Sequence, residues 1–488
     1  MNPWSRLSPR MLLVHPVHEV LRQIPVLIGS LVLGSATGNP IWAVIGVVLV
    51  VGYGVARWFT TTYRIGPADL QLRSGVLQRN VLSLPRNRIR SVSTDARLLH
   101  RLLGLAVLKV STGQEGRGET VFELDAVPVA EVSQLRAVLL ADSLEGLEEA
   151  DSSRVLARWR PTWLRYSPLT FTGLFMIVAA FGVVSQAGVL GALRDSGVVR
   201  AGEEALDDLG VVVAIGAAAA VVLIASVALS VLQSLATYGN LVLRRDAEVL
   251  HLSHGLLRVR EHTFDMRRLR GGTLREPLLV RLFGGARLDA VMTGVSGGGE
   301  ASQLLPPCPR DTAQSVLVDL IEQPDAVTGP LTAHGPVATR RRWTRALSVP
   351  LIVAVAVLLW PSAPVWAWAV LGSLAVFSAF LAFDRARSLG HRVGDGWLVA
   401  RSGSLTRRRD CVAAAGIVGW TVRQTLFQRR AGVATLIAAT AAGVKRYEVT
   451  DVPADLAWTV AATTSPWVAS RVRVDGVAAI DRETRQPE

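Results

Sequence analysis

Two hydrophobic patterns alternate along the chain. Long uncharged apolar runs come in pairs: Ile24 to Ala36 and Ile41 to Ala56, Leu169 to Leu190 and Leu209 to Ala236, Leu347 to Trp360 and Val365 to Phe383. After each pair the pattern shortens to a period of two, as in Leu70-Gln71-Leu72-Arg73, which sets both leucines on one face of a strand. Ser74-Gly75 then reads as a tight turn into a return strand at Val76-Leu77. A stretch at helical spacing closes the segment: Val132, Leu135 and Leu139 share one face of a helix predicted over Val129 to Leu140. Pro128, Pro309 and Pro453 stand where such helices would start. A spanning helix needs about 20 apolar residues. The middle pair has them. The first run of each outer pair is short, so it borrows flanking residues, thins the bilayer, or is a buried or re-entrant helix.

The whole pattern is copied. Leu70, Gly75, Ile89, Leu98, Leu99, Arg101, Gly104, Ala106 and Leu108 recur 180 residues later as Leu250, Gly255, Leu269, Leu278, Leu279, Arg281, Gly284, Ala286 and Leu288. They recur again at an offset of 328 as Leu398, Gly403, Ile417, Leu426, Phe427, Arg429, Gly432, Ala434 and Leu436. Constant offsets over such a stretch mean three copies of one folding unit. Each unit is a helical hairpin followed by an α+β domain of short antiparallel strands with a helix over the open end.

Charge orients the hairpins. The chain has 488 residues and 52 Lys+Arg against 39 Asp+Glu, a formal charge of +13. Its mean hydropathy of +0.36 is too high for an ordinary soluble protein. The arginines flank the pairs from outside, as at Arg57 and Arg64, Arg244 and Arg245, and Arg340, Arg341, Arg342 and Arg345. The connections within the pairs are neutral or acidic, with Glu203, Glu204, Asp207 and Asp208 in the middle one. The positive-inside rule then places both termini and all three domains on the cytoplasmic side of a plasma membrane. Trp4, Trp58, Trp159, Trp163 and Trp343 are expected as interfacial anchors. A signal peptide is the rival reading of Met1 to Ala36, disfavoured by the second apolar run close behind it. Cys308 and Cys411 are the only cysteines, which is no disulfide framework.

The run Leu84-Pro85-Arg86-Asn87-Arg88-Ile89-Arg90-Ser91-Val92, followed by Leu98-Leu99-His100-Arg101-Leu102-Leu103-Gly104-Leu105-Ala106, resembles the signature of bacterial pleckstrin-homology-like (PH-like) multi-pass membrane proteins of the YdbS/YdbT type. The hairpin-then-domain order is also similar. The resemblance is good in the second copy and eroded in the third, where Gly416 and Val418 replace the flanking arginines. It implies a partly open barrel of orthogonally packed sheets capped by a C-terminal helix. A partner membrane protein encoded nearby, such as a smaller PH-like protein, is a further expectation from the family.

Six transmembrane helices in three hairpins plus three PH-like domains is thus the expected architecture. The first hairpin takes residues 1–62 and its domain 63–145, the second 146–237 and 238–325, and the third 326–387 and 388–488. The arginine runs are the candidate chemistry: Arg86, Arg88 and Arg90 alternate and would share a strand face, and Arg267, Arg268 and Arg270 repeat the theme. Arg258, Arg260 and Arg407 to Arg409 extend it. Basic residues near an anionic leaflet gain about 1 kcal/mol each, so these are candidate lipid-facing residues, against a bland reading as topology signals. The signature residues Arg101, Gly104, Arg281, Gly284, Arg429 and Gly432 read as structural, with the small residues admitting close backbone approach. His251 and His254, three apart, fall on opposite strand faces and make a poor metal pair. No catalytic or phosphate-binding motif is present, so neither enzymatic activity nor a cofactor is expected. Nucleic acid is not an expected partner. The apolar runs hold no charged residue, unlike most ion pathways. The sequence therefore points to a binding or scaffold protein of the bacterial envelope that engages anionic lipid or partner proteins. A component of a lipid- or peptide-handling transport system is the alternative.

Overall fold

The structure is a computed structural model. It describes residues 4–6, 59–66, 69–75, 79–85, 91–96, 98–111, 122–132, 153–170, 211–294 and 302–468, with isolated positions between them. The chain divides into two compact units, Met1–Trp159 with Leu235–Arg268, and Arg160–Ser234 with Leu269–Glu488.

In the first unit, β1 (Ser5–Arg6), β2 (Thr62–Ile65), β3 (Asp69–Ser74) and β4 (Asn80–Pro85) make an antiparallel four-stranded sheet in that order. A second sheet contains β5 (Ser91–Ala96), β6 (Leu105–Ser111), β7 (Phe122–Pro128), β8 (Ser153–Arg158), β9 (Val242–Asp246), β10 (Val249–His254) and β11 (Val259–Asp265). Its order is β7-β6-β5-β11-β10-β9-β8. Leu70 of the first sheet packs with Val92, Leu108, Val110, Phe122 and Leu124 of the second, and Val132 of the closing helical stretch joins them. Two sheets and a helix around one core are the PH-like arrangement expected of the first copy. The period-two leucines explain it, because burying Leu70 leaves Gln71 and Arg73 half in solvent. The described return strand is Asn80–Pro85, and the expected start at Val76-Leu77 lies outside the described residues.

The second unit repeats the plan. Strands β12 (Leu269–Pro277), β13 (Gly285–Met292), β14 (Gln303–Pro309), β15 (Gly390–Gly394), β16 (Trp397–Ser402) and β17 (Thr406–Ala413) form a sheet ordered β14-β13-β12-β17-β16-β15. Strands β18 (Ile417–Arg423), β19 (Val433–Thr440) and β20 (Arg446–Pro453) form another. Leu398, Ala400 and Val412 pack against Ile417, Leu436, Ala438 and Val449, closed by Val460 and Ala461 of helix Ala457–Thr464. The prolines at 128, 309 and 453 end strands, and helices follow them: directly after Pro128 and after Pro309, the N-cap of helix Arg310–Ile321, and from Ala457 after Pro453.

One feature of the sheets is absent from the sequence pattern. The copies are sewn together edge to edge. Strand β5 of the first copy pairs with β11 of the second, and β12 of the second pairs with β17 of the third. The registers are equivalent: Val92 faces Thr263, and Gly272 faces Cys411, which are the same repeat positions after subtracting the offsets.

Of the six expected spanning helices, two are long and apolar enough to cross a membrane among the described residues: Ala219–Tyr238, within helix Val211–Tyr238, and Val365–Ser388. The partner of the latter, helix Gly335–Leu358, carries Arg340, Arg341, Arg342 and Arg345 in its first half and falls short as a span. It borrows flanking residues, as a short apolar run must, but the borrowed ones are charged. The three other expected spans lie largely outside the described residues. Two expected anchors are engaged otherwise: Trp163 is 4% exposed, and the Arg73 guanidinium sits 4.3 Å from the Trp4 ring.

Candidate functional site: an arginine cavity beside the third helical pair

The signature block forms the same corner three times. Short helices Leu98–Leu102, Leu278–Leu282 and Leu426–Arg430 each end on a glycine of left-handed backbone, Gly104 at φ 68°, Gly284 at 72° and Gly432 at 66°. Each glycine N–H donates to the signature arginine's carbonyl (Arg101, Arg281, Arg429) at 2.9–3.2 Å. Each glycine carbonyl accepts from the residue after the strand-ending proline: Val129, Arg310 and Ala454, all at 2.9 Å. A β-carbon at Gly284 or Gly432 would meet nothing within 4 Å. The glycine is therefore required by its φ and not, as expected, by close approach. The arginine side chains diverge. Arg101 donates to the Leu256 carbonyl at 2.9 Å, Arg281 to Asp384 at 2.8 Å, and Arg429 is exposed.

The arginine runs are dispersed by the fold. Arg86, Arg88 and Arg90 lie outside the described residues. In the second copy the corresponding stretch is not one strand, because Met266–Arg268 is a 3-10 turn. Arg267 folds back on Asp265, and Arg268 donates to the Ile89 carbonyl at 3.3 Å. Arg270 is half-buried over Gly416. Arg258 forms a two-pronged pair with Asp95, Arg407 binds Asp384 at 2.7 Å, and Arg409 donates to the carbonyls of Ala326 and Gly329. Of the two histidines, His254 meets the Thr237 carbonyl and His251 meets Asp246 and Thr263, on separate sides of β10. Among the described residues no group of three or more His, Cys, Asp or Glu could hold a metal ion.

What the fold does collect is a set of arginines that shares only Arg408 with those runs. A cavity of about 530 Å³ is lined by Arg342, Arg385, Arg408 and Arg446, with Ser402, Tyr447 and Thr450 among its polar walls. Arg342 comes from the first half of helix Gly335–Leu358 and Arg385 from the last turn of Val365–Ser388, so both stand at the same end of the helical pair. Arg408 and Arg446 come from β17 and β20. Two carboxylates share the lining, Asp410 and Glu448. Asp410 accepts from Thr273 at 2.7 Å, and its burial raises its pKa. Glu448 pairs with Arg446 at 2.8 Å. Asp451 holds Arg342 at 2.8 Å and Arg341 at 3.3 Å. Among the described residues neither Arg385 nor Arg408 has an ion-pair partner. Burial lowers the pKa of Arg342, Asp451 opposes that, and Arg345, Arg385 and Arg341 add like-charge repulsion. The pocket has more guanidinium than carboxylate, and an anion would relieve it. Sequence reading assigned Arg342 to topology, counted Arg408 in an arginine run and passed over Arg446. The signal was present only as basic residues on four elements a hundred residues apart.

A neighbouring buried pair completes the picture. His334 Nδ1–H donates to the Thr450 carbonyl at 2.8 Å, so its Nε2 must accept from His391 Nδ1–H, at 2.9 Å. Burial depresses both imidazoles, His334 to about 4.

The bacterial PH domain family model matches residues 21–143 and 344–466, which together make up half of the chain. The matches take in the first and third copies of the repeat, although the third has lost the arginines around its Ile417. No curated protein and no solved structure matches the chain. With PH-like two-sheet cores in its first and third copies and this match over half its length, the chain belongs to the bacterial PH domain family.

Proposed function

We propose that the protein is a non-enzymatic, membrane-anchored scaffold of the bacterial envelope whose PH-like domains engage anionic lipid at the inner leaflet. Family membership supports a binding or scaffold role. The arginine cavity at one end of the third helical pair carries the lipid part of the reading. With the pair in a bilayer, the positive-inside rule sets that end at the cytoplasmic face, where basic pockets beside helices receive anionic headgroups. The cavity volume suits a headgroup-sized ligand. Guanidinium groups suit phosphate oxygens because their N–H donors form a planar fork.

Native mass spectrometry of the detergent-purified chain tests this. Anionic lipid should be retained over zwitterionic lipid, and Arg385→Gln with Arg408→Gln should lower retention about tenfold. Equal retention by the variant would remove the cavity from the reading. The Arg86, Arg88 and Arg90 run is a second contact of the same kind. Its replacement by Gln should weaken binding of the full chain to anionic vesicles. Topology is open to a reporter fused at Gly113, which should read cytoplasmic.

A further inference from the structure

The repeat array leaves two strand edges without the neighbour that the same edges have elsewhere. Strand β4 is the first-copy equivalent of β11 and β17, each of which pairs with the preceding copy. Strand β18 is the third-copy equivalent of β5 and β12, each of which pairs with the following copy. Among the described residues, β4 and β18 are the last strands of their sheets. Neither edge is defended by charge, and the bulge of β18 near Ile417 has a counterpart near Leu269 in β12, which pairs with β17 all the same. Natural edges carry charges, prolines or bulges that deter pairing. Strand β4 has no charged residue, and Val81 is 55% exposed; β18 has only Arg423, and Val418 is 69% exposed. Pro85 is no obstacle, because its counterparts Asp265 and Ala413 lie one residue past the paired stretches.

We infer that β18 of one chain pairs antiparallel with β4 of a second copy, continuing the internal joins in a head-to-tail assembly. The two existing joins specify the register. Asp95 faces Arg260, and Arg275 faces Arg408. Moving each strand by its repeat offset sets Arg423 opposite Asn80 and Trp420 opposite Ser83. An exchanged strand supplies main-chain hydrogen bonds, and a contact between unlike surfaces generates rings or filaments. The inference names the partner in the scaffold reading and rests on that reading, but makes no use of lipid binding.

Cysteine cross-linking of the full chain in membranes tests it. Two differently tagged copies are co-expressed, one carrying Asn80→Cys and the other Arg423→Cys, both at exposed positions. The native Cys308 and Cys411 are buried and stay silent. Mild oxidation should give a dimer bearing both tags. Pairing Asn80→Cys with Thr421→Cys, two residues out of register, should give at least tenfold less. The unmodified chain in nanodiscs should show more than one copy by native mass spectrometry. A single copy, no tagged dimer above the out-of-register pair, or a cross-link to a smaller protein in its place would each overturn the inference. A chain that retains anionic lipid yet gives no cross-link loses this inference and keeps the lipid reading.

Discussion

At the scale of single residues, the chain places two kinds of constraint where side-chain identity matters most. The signature glycines adopt a backbone that costs an L-residue roughly 1–2 kcal/mol. Gly284→Ala should therefore lower unfolding free energy by about 1 kcal/mol, and Gly284→Asn by less, since Asn tolerates that region. Denaturant titration of the purified protein checks both. The His334–His391 pair constrains pH. The folded pKa of His334 falls from its ordinary 6.5 to about 4. The unfolded chain therefore takes up a proton first as pH drops, and stability present above 6.5 is lost as pH falls toward 4. The loss from His334 approaches roughly 3 kcal/mol. Unfolding midpoints at pH 7 and 5 should differ less in His334→Gln, which keeps a donor for Thr450 and an acceptor for His391 but does not titrate. An equal pH response in both proteins would remove the pair as its source.

At the scale of elements, one carboxylate ties a candidate spanning helix to the sheet beneath it. Asp384, near the C-terminal end of Val365–Ser388, accepts from Arg281 at 2.8 Å, Arg407 at 2.7 Å and Ser404 at 2.8 Å. Arg281 belongs to the repeat signature and Arg407 to β17, so the contact holds helix, corner and strand together. Replacing it with Asn leaves two guanidinium groups facing each other without a counter-charge. Asp384→Asn should destabilise the third domain by roughly 2–3 kcal/mol, read as earlier unfolding in denaturant and faster proteolysis near β17. The same elements show how far sequence pattern reaches. Alternation at Leu70, Leu250 and Leu398 located strands β3, β10 and β16, because each leucine must face a core. Helix Gly335–Leu358 was read too short, because hydropathy follows only the apolar half, whereas backbone hydrogen bonding carries the helix on through its arginines.

At the scale of the whole molecule, the copies are joined through strand edges, β5 to β11 in one compact unit and β12 to β17 in the other. The amino-acid sequence by itself determined the repeat, the strand alternation and the family, because each is written in local periodicity or in short spacings. Tertiary structure alone decided the arginine cavity, the histidine pair and the edge-to-edge joins. The cavity needs Arg342, Arg385, Arg408 and Arg446 from four separate elements, and His334 meets His391 across 57 residues. The joins are made by main-chain N–H and C=O groups, which every residue but proline carries alike. No side-chain pattern can announce which strand edge will meet which, and only the folded backbone brings Val92 opposite Thr263 and Gly272 opposite Cys411.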